Sequence, residues 1–95
     1  ELGYCYNSDS LFLYDFISSF SPKGKVLDVG AGCGVVGLLV ARDNKKINLE
    51  AVEKQEEFVH FATTNARVNG IEYTMHECDF LELSSKTKYD YIISN

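Results

Sequence analysis

Three acids and a run of glycines carry the chemistry this chain can do. Asp28 closes an apolar run, Val26-Leu27-Asp28-Val29, and Gly30-Ala31-Gly32-Cys33-Gly34 follows at once. Glu53 and Asp79 each end a later apolar stretch. Glycines at alternate positions let backbone approach a ligand where a Cβ would block it. A carboxylate at a strand tip is costly to bury without a partner, and a cationic or multi-hydroxyl ligand supplies one. Together these residues predict a nucleotide-like cofactor at the carboxyl end of the first strand of an open α/β sheet.

The glycine loop fits two templates. Gly32-Cys33-Gly34-Val35-Val36-Gly37 satisfies G-x-G-x-x-G, and Glu53 stands where the acid of a dinucleotide site would follow. Asp28 argues against a dinucleotide, because an anion beside the loop repels a pyrophosphate seated on the helix N-terminus. S-adenosylmethionine has no phosphate and carries an ammonium and a sulfonium, so a carboxylate suits it. The structural alternative for Asp28 is a cap on the glycine-rich turn. Glu53 can accept both hydroxyls of a ribose in charge-assisted bonds; its alternative is an ordinary exposed acid, as Glu56 and Glu57 are read. Asp79 can accept an adenine amino group and Phe80 can cover the ring, with ordinary core packing as the alternative for Phe80. His60 and His76 have no partners at metal-ligand spacing and read as structural, so no metal site is expected.

These side chains need a frame. A helix is predicted to start near Ser8 or Asp9, either of which can cap it, with Leu13, Phe16, Ile17 and Phe20 on one face. Ser21-Pro22-Lys23-Gly24 ends it. A strand follows at Lys25 to Val29, then a helix from Gly34 to Asp43, and a second strand from Ile47 to Val52. The next helix runs from Gln55 to Asn69, with Phe58, Phe61, Ala62, Asn65 and Ala66 on one side and Gly70 as its stop. Strands at Glu72 to Glu77 and Tyr89 to Ser94 complete the pattern. Alternating strands and helices predict right-handed crossovers and a Rossmann-like open parallel sheet with flanking helices, an α/β fold.

Composition narrows the rest. The 95 residues carry a net charge of −5 and 45% hydrophobic residues, which bounds the chain to one ordinary globular domain. Its cations are spread along the sequence, a poor footprint for gripping a phosphate backbone. Cys5, Cys33 and Cys78 are odd in number and lack C-x-x-C spacing, which predicts free buried thiols in a reducing cytoplasm. No apolar run reaches the roughly 20 residues of a membrane span. Four strands use the whole chain, so it reads as the N-terminal part of a larger domain, ending after the fourth strand. Such a piece alone is expected to be marginally stable and without activity.

The set VLDVGAGCGVVGL, then AVE, CDF and YDYIISN, resembles the class I S-adenosylmethionine-dependent methyltransferases over nearly the whole chain. Ile92-Ile93-Ser94-Asn95 resembles the strand leading into the Asn-Pro-Pro-Tyr/Phe motif of amino-group methyltransferases, of which only the Asn is present. Gly3 to Leu13 is similar to the lead-in of bacterial tRNA(Val) adenine N6-methyltransferases. The resemblance implies S-adenosylmethionine as cofactor and the N6 amino group of a tRNA adenine as acceptor. Among the residues it implies, Gly30, Ala31, Gly32, Gly34 and Lys54 line the cofactor, and Asp28 holds its ammonium through water. Glu53 binds the ribose, Asp79 and Phe80 the adenine, and Asn95 the target amine. Protein-glutamine N5-methylation, ribosomal RNA guanine N2-methylation and a non-catalytic cofactor-binding module are the alternatives.

Overall fold

The structure, a computed structural model, describes residues 8–32, 34–83 and 88–94, with side chains from Phe12 onward. Helix α1 (Ser8–Ser18) leads into strand β1 (Gly24–Val29), then α2 (Val35–Asp43), β2 (Ile47–Glu53), α3 (Glu56–Val68), β3 (Thr74–Glu77) and β4 (Tyr91–Ser94). The four strands are all parallel, in the order β3-β2-β1-β4. This is the open parallel sheet expected from the alternating pattern. The order reverses beside β1, where the crevice at the strand ends opens for a ligand.

Register explains which side chains face the helices. Asp28 pairs with Ala51 on one side and Ile93 on the other. Side chains alternate across a sheet, so Val26, Asp28, Leu49, Ala51, Glu53 and Ile93 share one face. Val26, Leu49 and Ile93 pack there with Val36, Leu38 and Val40 of α2 and Ala66 of α3. Every residue from Val35 to Val40 is buried, which places α2 at the centre of the core. At 25 cal/mol per Å² the burial of each such Val or Leu is worth about 1.5–3 kcal/mol.

Local signals set the helix ends. Glu56 and Glu57 lie in the first turn of α3 and Arg67 in its last, each favourable to the helix dipole. Gly70 has φ +66°. Its N–H donates to Arg67 O at 3.2 Å and the Ile71 N–H donates to Ala66 O at 2.9 Å, the two bonds of a Schellman stop. The expected Gly70 terminator is therefore present. Strands β3 and β4 are shorter than expected, beginning at Thr74 and Tyr91 instead of Glu72 and Tyr89.

Two expected apolar faces need correction. Leu13 and Ile17 of α1 pack against the core, but with Tyr14 instead of Phe16 and Phe20. Phe16 and Phe20 are 64% and 61% exposed and meet edge to face, 5.1 Å between centroids. The buried arc is turned toward Tyr14, whose hydroxyl bonds the Asp43 carboxylate of α2, and Phe20 lies beyond the last helical turn. On α3, Phe61 is exposed while Ala62, Asn65 and Ala66 are buried. Small side chains there let α3 lie close to the glycine turn.

Candidate functional site

The carboxyl ends of β1 and β2, the segment after β3 and the start of α3 enclose a cleft of about 380 Å³, within the range of small-molecule sites. Val29, Gly30 and Gly32 after β1, Val52, Glu53 and Lys54 at the end of β2, Gln55 and Phe58 at the start of α3, and Cys78, Asp79 and Phe80 after β3 line it. Six of the expected cofactor residues, Gly30, Gly32, Glu53, Lys54, Asp79 and Phe80, thus meet in one place. Ala31 belongs to the same loop, its N–H donating to Val52 O at 3.3 Å beside a 2.9 Å bond from Gly30.

The loop has the conformation its glycines require. Gly30, Gly32 and Gly34 have φ of +62°, +60° and +84°, a region that costs other L-residues roughly 1–2 kcal/mol. A Cβ on Gly30 or Gly32 would meet nothing within 4 Å. It would project into space beside the cleft that a ligand can fill. Gly34 stands apart, on α2's N-cap, where a Cβ would come within 3.1 Å of Ala62.

Glu53 joins the loop to the floor. Its Oε1 accepts from Gly32 N–H at 2.8 Å and its Oε2 from Gln55 N–H at 2.9 Å, and the residue is 7% exposed. An ionised carboxylate offers about four acceptor sites. One on each oxygen is taken by backbone, so one on each remains for a pair of hydroxyls. The exposed-acid alternative for Glu53 does not describe this residue.

Asp79 caps a one-turn 3-10 helix, Phe80–Glu82. Its Oδ1 accepts from Leu81 N–H at 3.1 Å, and Glu82 Oε1 accepts from the Asp79 N–H at 3.1 Å. This reciprocal box fixes Asp79 and presents Phe80, 44% exposed, at the cleft. Cys78 is free, but half-buried on the cleft wall and not in the core. Cys5, Cys33 and Asn95 lie outside the described residues.

Asp28 is placed differently from its neighbours. It is 3% exposed and absent from the cleft lining. Its carboxylate lies under α2, where a Cβ on Gly37 would be 2.7 Å from Oδ2. Burial pushes its carboxyl up to about 7, against the pull of the Gly37 backbone N–H and with the help of the Glu53 charge. Gly37 is in the first turn of α2, whose N-cap Gly34 offers no side-chain cap, and helix starts leave such N–H groups open. Asp28 is thus buried beside the first turn of α2 and does not line the cleft, a position compatible with a structural role at the start of α2. Gly37 takes the third-glycine part of the G-x-G-x-x-G pattern, close helix–strand packing.

Sequence reasoning missed one polar cluster on the opposite sheet face. Glu50 Oε1 lies 2.8 Å from His76 Nε2 and accepts from the Tyr89 hydroxyl at 2.8 Å, with Lys25 Nζ 4.0 Å from Oε2. Burial would raise the Glu50 carboxyl, yet bonds from His76 and Tyr89 hold it below its ordinary value. The residues are far apart in sequence, and only parallel register brings them together. His76 is thus a structural partner, and His60 is exposed. Among the described residues no group of three His, Cys, Asp or Glu side chains is placed to hold a metal ion, and no helix is long and apolar enough to cross a membrane.

Comparison with known proteins agrees with this geometry. Residues 7–95 match the family described as methyltransferase small domain. The release factor glutamine methyltransferase of Bacillus subtilis (strain 168) is 33% identical over 87 residues, 87% of this chain and 30% of that protein. The ribosomal RNA small subunit methyltransferase C of Escherichia coli (strain SMS-3-5 / SECEC) is 38% identical over 82 residues, 83% of this chain and 23% of that protein. This chain thus spans less than a third of either relative's length. In fold it is similar to a coclaurine N-methyltransferase solved with N-methylheliamine and SAH, with a TM-score of 0.79 at 21% identity over 90% of this chain and 26% of that one.

Proposed function

Because this chain belongs to the methyltransferase small domain family, we propose that it forms the cofactor-binding core of an S-adenosylmethionine-dependent N-methyltransferase. The observation that carries this reading is the cleft itself, where open glycine backbone faces Glu53, Asp79 and Phe80. Two carboxylates and a single Lys54 suit a cofactor without phosphates, and they repel a pyrophosphate. The residues present fit the group. Glu53 would accept the ribose hydroxyls with its two remaining acceptor sites, and Asp79 and Phe80 would hold the adenine. Gly30, Ala31 and Gly32 would pass backbone along the cofactor, with Lys54 at its edge, while Gly34 would open α2 and Asp28 would act from beneath by holding it. Bound S-adenosylmethionine supplies an electrophilic methyl group on a sulfonium.

Asn95 follows Ser94, whose β4 partner position is Val29, the residue before Gly30. In this reading Asn95 accepts a hydrogen bond from the target N–H and aims the nitrogen lone pair at the methyl. The step is positioning and electrostatics, with no strong general base.

The acceptor we favour is a planar side-chain amide, the glutamine of a protein. Support comes from the Bacillus subtilis relative's name and from an acidic chain in which Lys54 is the one cation among the described residues lining the cleft. An RNA base amine is the second reading, favoured by the 38% identity to a ribosomal RNA methyltransferase. The tRNA adenine suggested by the lead-in Gly3 to Leu13 stands behind both, because neither relative carries that name. The test incubates the full-length protein and methyl-labelled cofactor with a release factor, small ribosomal subunits or unmodified tRNA. Label in the release factor is expected; label in RNA alone overturns the amide reading, and no label in any arm overturns methyl transfer to these acceptors. Calorimetric binding of NAD without S-adenosylhomocysteine would overturn the cofactor.

A further inference from the structure

Beneath the first turn of α2 lie two buried polar atoms, Asp28 Oδ2 and the Tyr73 hydroxyl oxygen, and neither has a hydrogen-bond partner among the described residues. They approach the same stretch of helix. The Cβ position of Gly37 is 2.7 Å from Asp28 Oδ2, and that of Gly34 is 3.3 Å from the Tyr73 oxygen. The charge of Asp28 is also among the causes, after burial, that push the Tyr73 hydroxyl up. Leaving a buried donor or acceptor unpaired is expensive. A single internal water between these two groups satisfies both.

We propose that Tyr73 is a positioning residue for the glycine loop, its hydroxyl donating through one internal water to Asp28 so that the carboxylate keeps hold of the first turn of α2 at Gly37. The loop is then pinned at two points. Glu53 holds it at the Gly32 N–H from β2, and Asp28 holds the helix into which it runs. Residues Val35 to Val40 carry no ionisable side chain, and Glu53, the charged group facing from β2, repels the Asp28 carboxylate. The role rests on the cofactor reading above, because what the loop positions is the cofactor.

The experiment uses Tyr73→Phe, Asp28→Asn and the double variant in the full-length protein. Three quantities are measured: thermal stability, the Asp28 carboxyl titration by carbon NMR, and S-adenosylhomocysteine affinity from pH 5.5 to 8.5. If the hydroxyl were unpaired, its removal would leave the melting temperature unchanged or raise it. We expect a fall of several degrees, a higher Asp28 titration midpoint, and an affinity profile displaced to higher pH, with several-fold weaker binding near neutrality. In the Asp28→Asn background the Tyr73→Phe change should have little further effect. A Tyr73→Phe protein that melts no lower than the parent and titrates at the same midpoint overturns the proposal. Absence of S-adenosylhomocysteine binding in the parent overturns the cofactor reading instead, while melting and carboxyl titration still decide whether Tyr73 partners Asp28.

Discussion

Glu53→Ala separates the cofactor reading from a merely structural one. In the structure Glu53 accepts two backbone N–H groups, at 2.8 and 2.9 Å, while 7% exposed. Hydrogen bonds to a charged group are worth about 1.5–3 kcal/mol. In the free protein the loss is partly recovered, since the Gly32 and Gln55 N–H groups border the open cleft and can turn to water. In the complex the ribose would lose its paired acceptor, and Gly32 would lose its tether at the same time. An affinity loss of about 1.5–3 kcal/mol is roughly 10- to 150-fold at 1.4 kcal/mol per decade. Glu53→Gln keeps one acceptor oxygen but turns an NH2 toward a donor, so it should fall between the parent and Glu53→Ala. Isothermal titration with S-adenosylhomocysteine, with circular dichroism to confirm the fold, gives the answer. A folded Glu53→Ala protein binding within two-fold of the parent would refute the assignment, leaving Glu53 as a loop brace only.

Gly37→Ala sets two effects against each other. Helix propensity favours Ala by about 1 kcal/mol, while a Cβ 2.7 Å from Asp28 Oδ2 and 3.4 Å from both Leu49 methyls is overpacking that costs roughly 1–3 kcal/mol. Urea unfolding should show a net loss, and a gain would mean that α2 lifts freely from β1. Asp28→Asn should flatten the pH dependence of stability. The folded acid is raised from 3.8 to about 7, so between these values the folded state keeps a proton that the unfolded chain releases. That contribution is complete below about pH 4 and lost as pH rises to about 7, with an upper limit of about 4 kcal/mol. Urea titrations at pH 4 to 8 that give the same slope for parent and Asp28→Asn would refute the burial argument. Asn95→Ala in the full-length protein should lower the methylation rate far more than cofactor affinity, and equal losses in both would place Asn95 on the cofactor.

Periodicity and turn chemistry made most of the frame legible before any coordinates. The alternation of strands and helices fixes the parallel sheet, and Gly70 announces the end of α3 because a Schellman stop needs a residue at positive φ. Glu53 was readable because an acid directly after a β-branched strand has few reasons to be there. Asp28 was legible as special but not in its direction. Asp28 shares its sheet face with Glu53, yet it lies one step back from the strand end, where α2 packs over it at Gly37, and only the packing shows which of the two acids reaches the cleft. Phe16 and Phe20 misled for a related reason. A helical face 100° wide is set by what it packs against, here Tyr14 and the α2 contact, and spacing alone does not give its centre. The Glu50, His76 and Tyr89 cluster has no local signature at all, since its members come from three separate segments.

The position of Asp28 also changes why a phosphate-free cofactor suits this cleft. In the sequence, the acid beside the glycine loop is the charge that would repel a pyrophosphate. In the folded chain that acid is buried under α2 and absent from the cleft lining, and burial favours its neutral form, so it repels weakly. In this reading the repulsion comes from the carboxylates that line the cleft, Glu53 and Asp79. Both are held in place by backbone N–H groups. In this reading the discrimination against dinucleotides rests on the combined charge of Glu53 and Asp79, since Glu53 alone stands where a dinucleotide site also has its acid, and Asp28 contributes by holding the first turn of α2. Neutralising Asp28 should weaken all ligands through the loop, whereas neutralising Glu53 and Asp79 together should narrow the preference for S-adenosylhomocysteine over NAD. Competition binding on the two sets of variants distinguishes these outcomes, and a preference that narrows in Asp28→Asn alone would return the discriminating charge to Asp28.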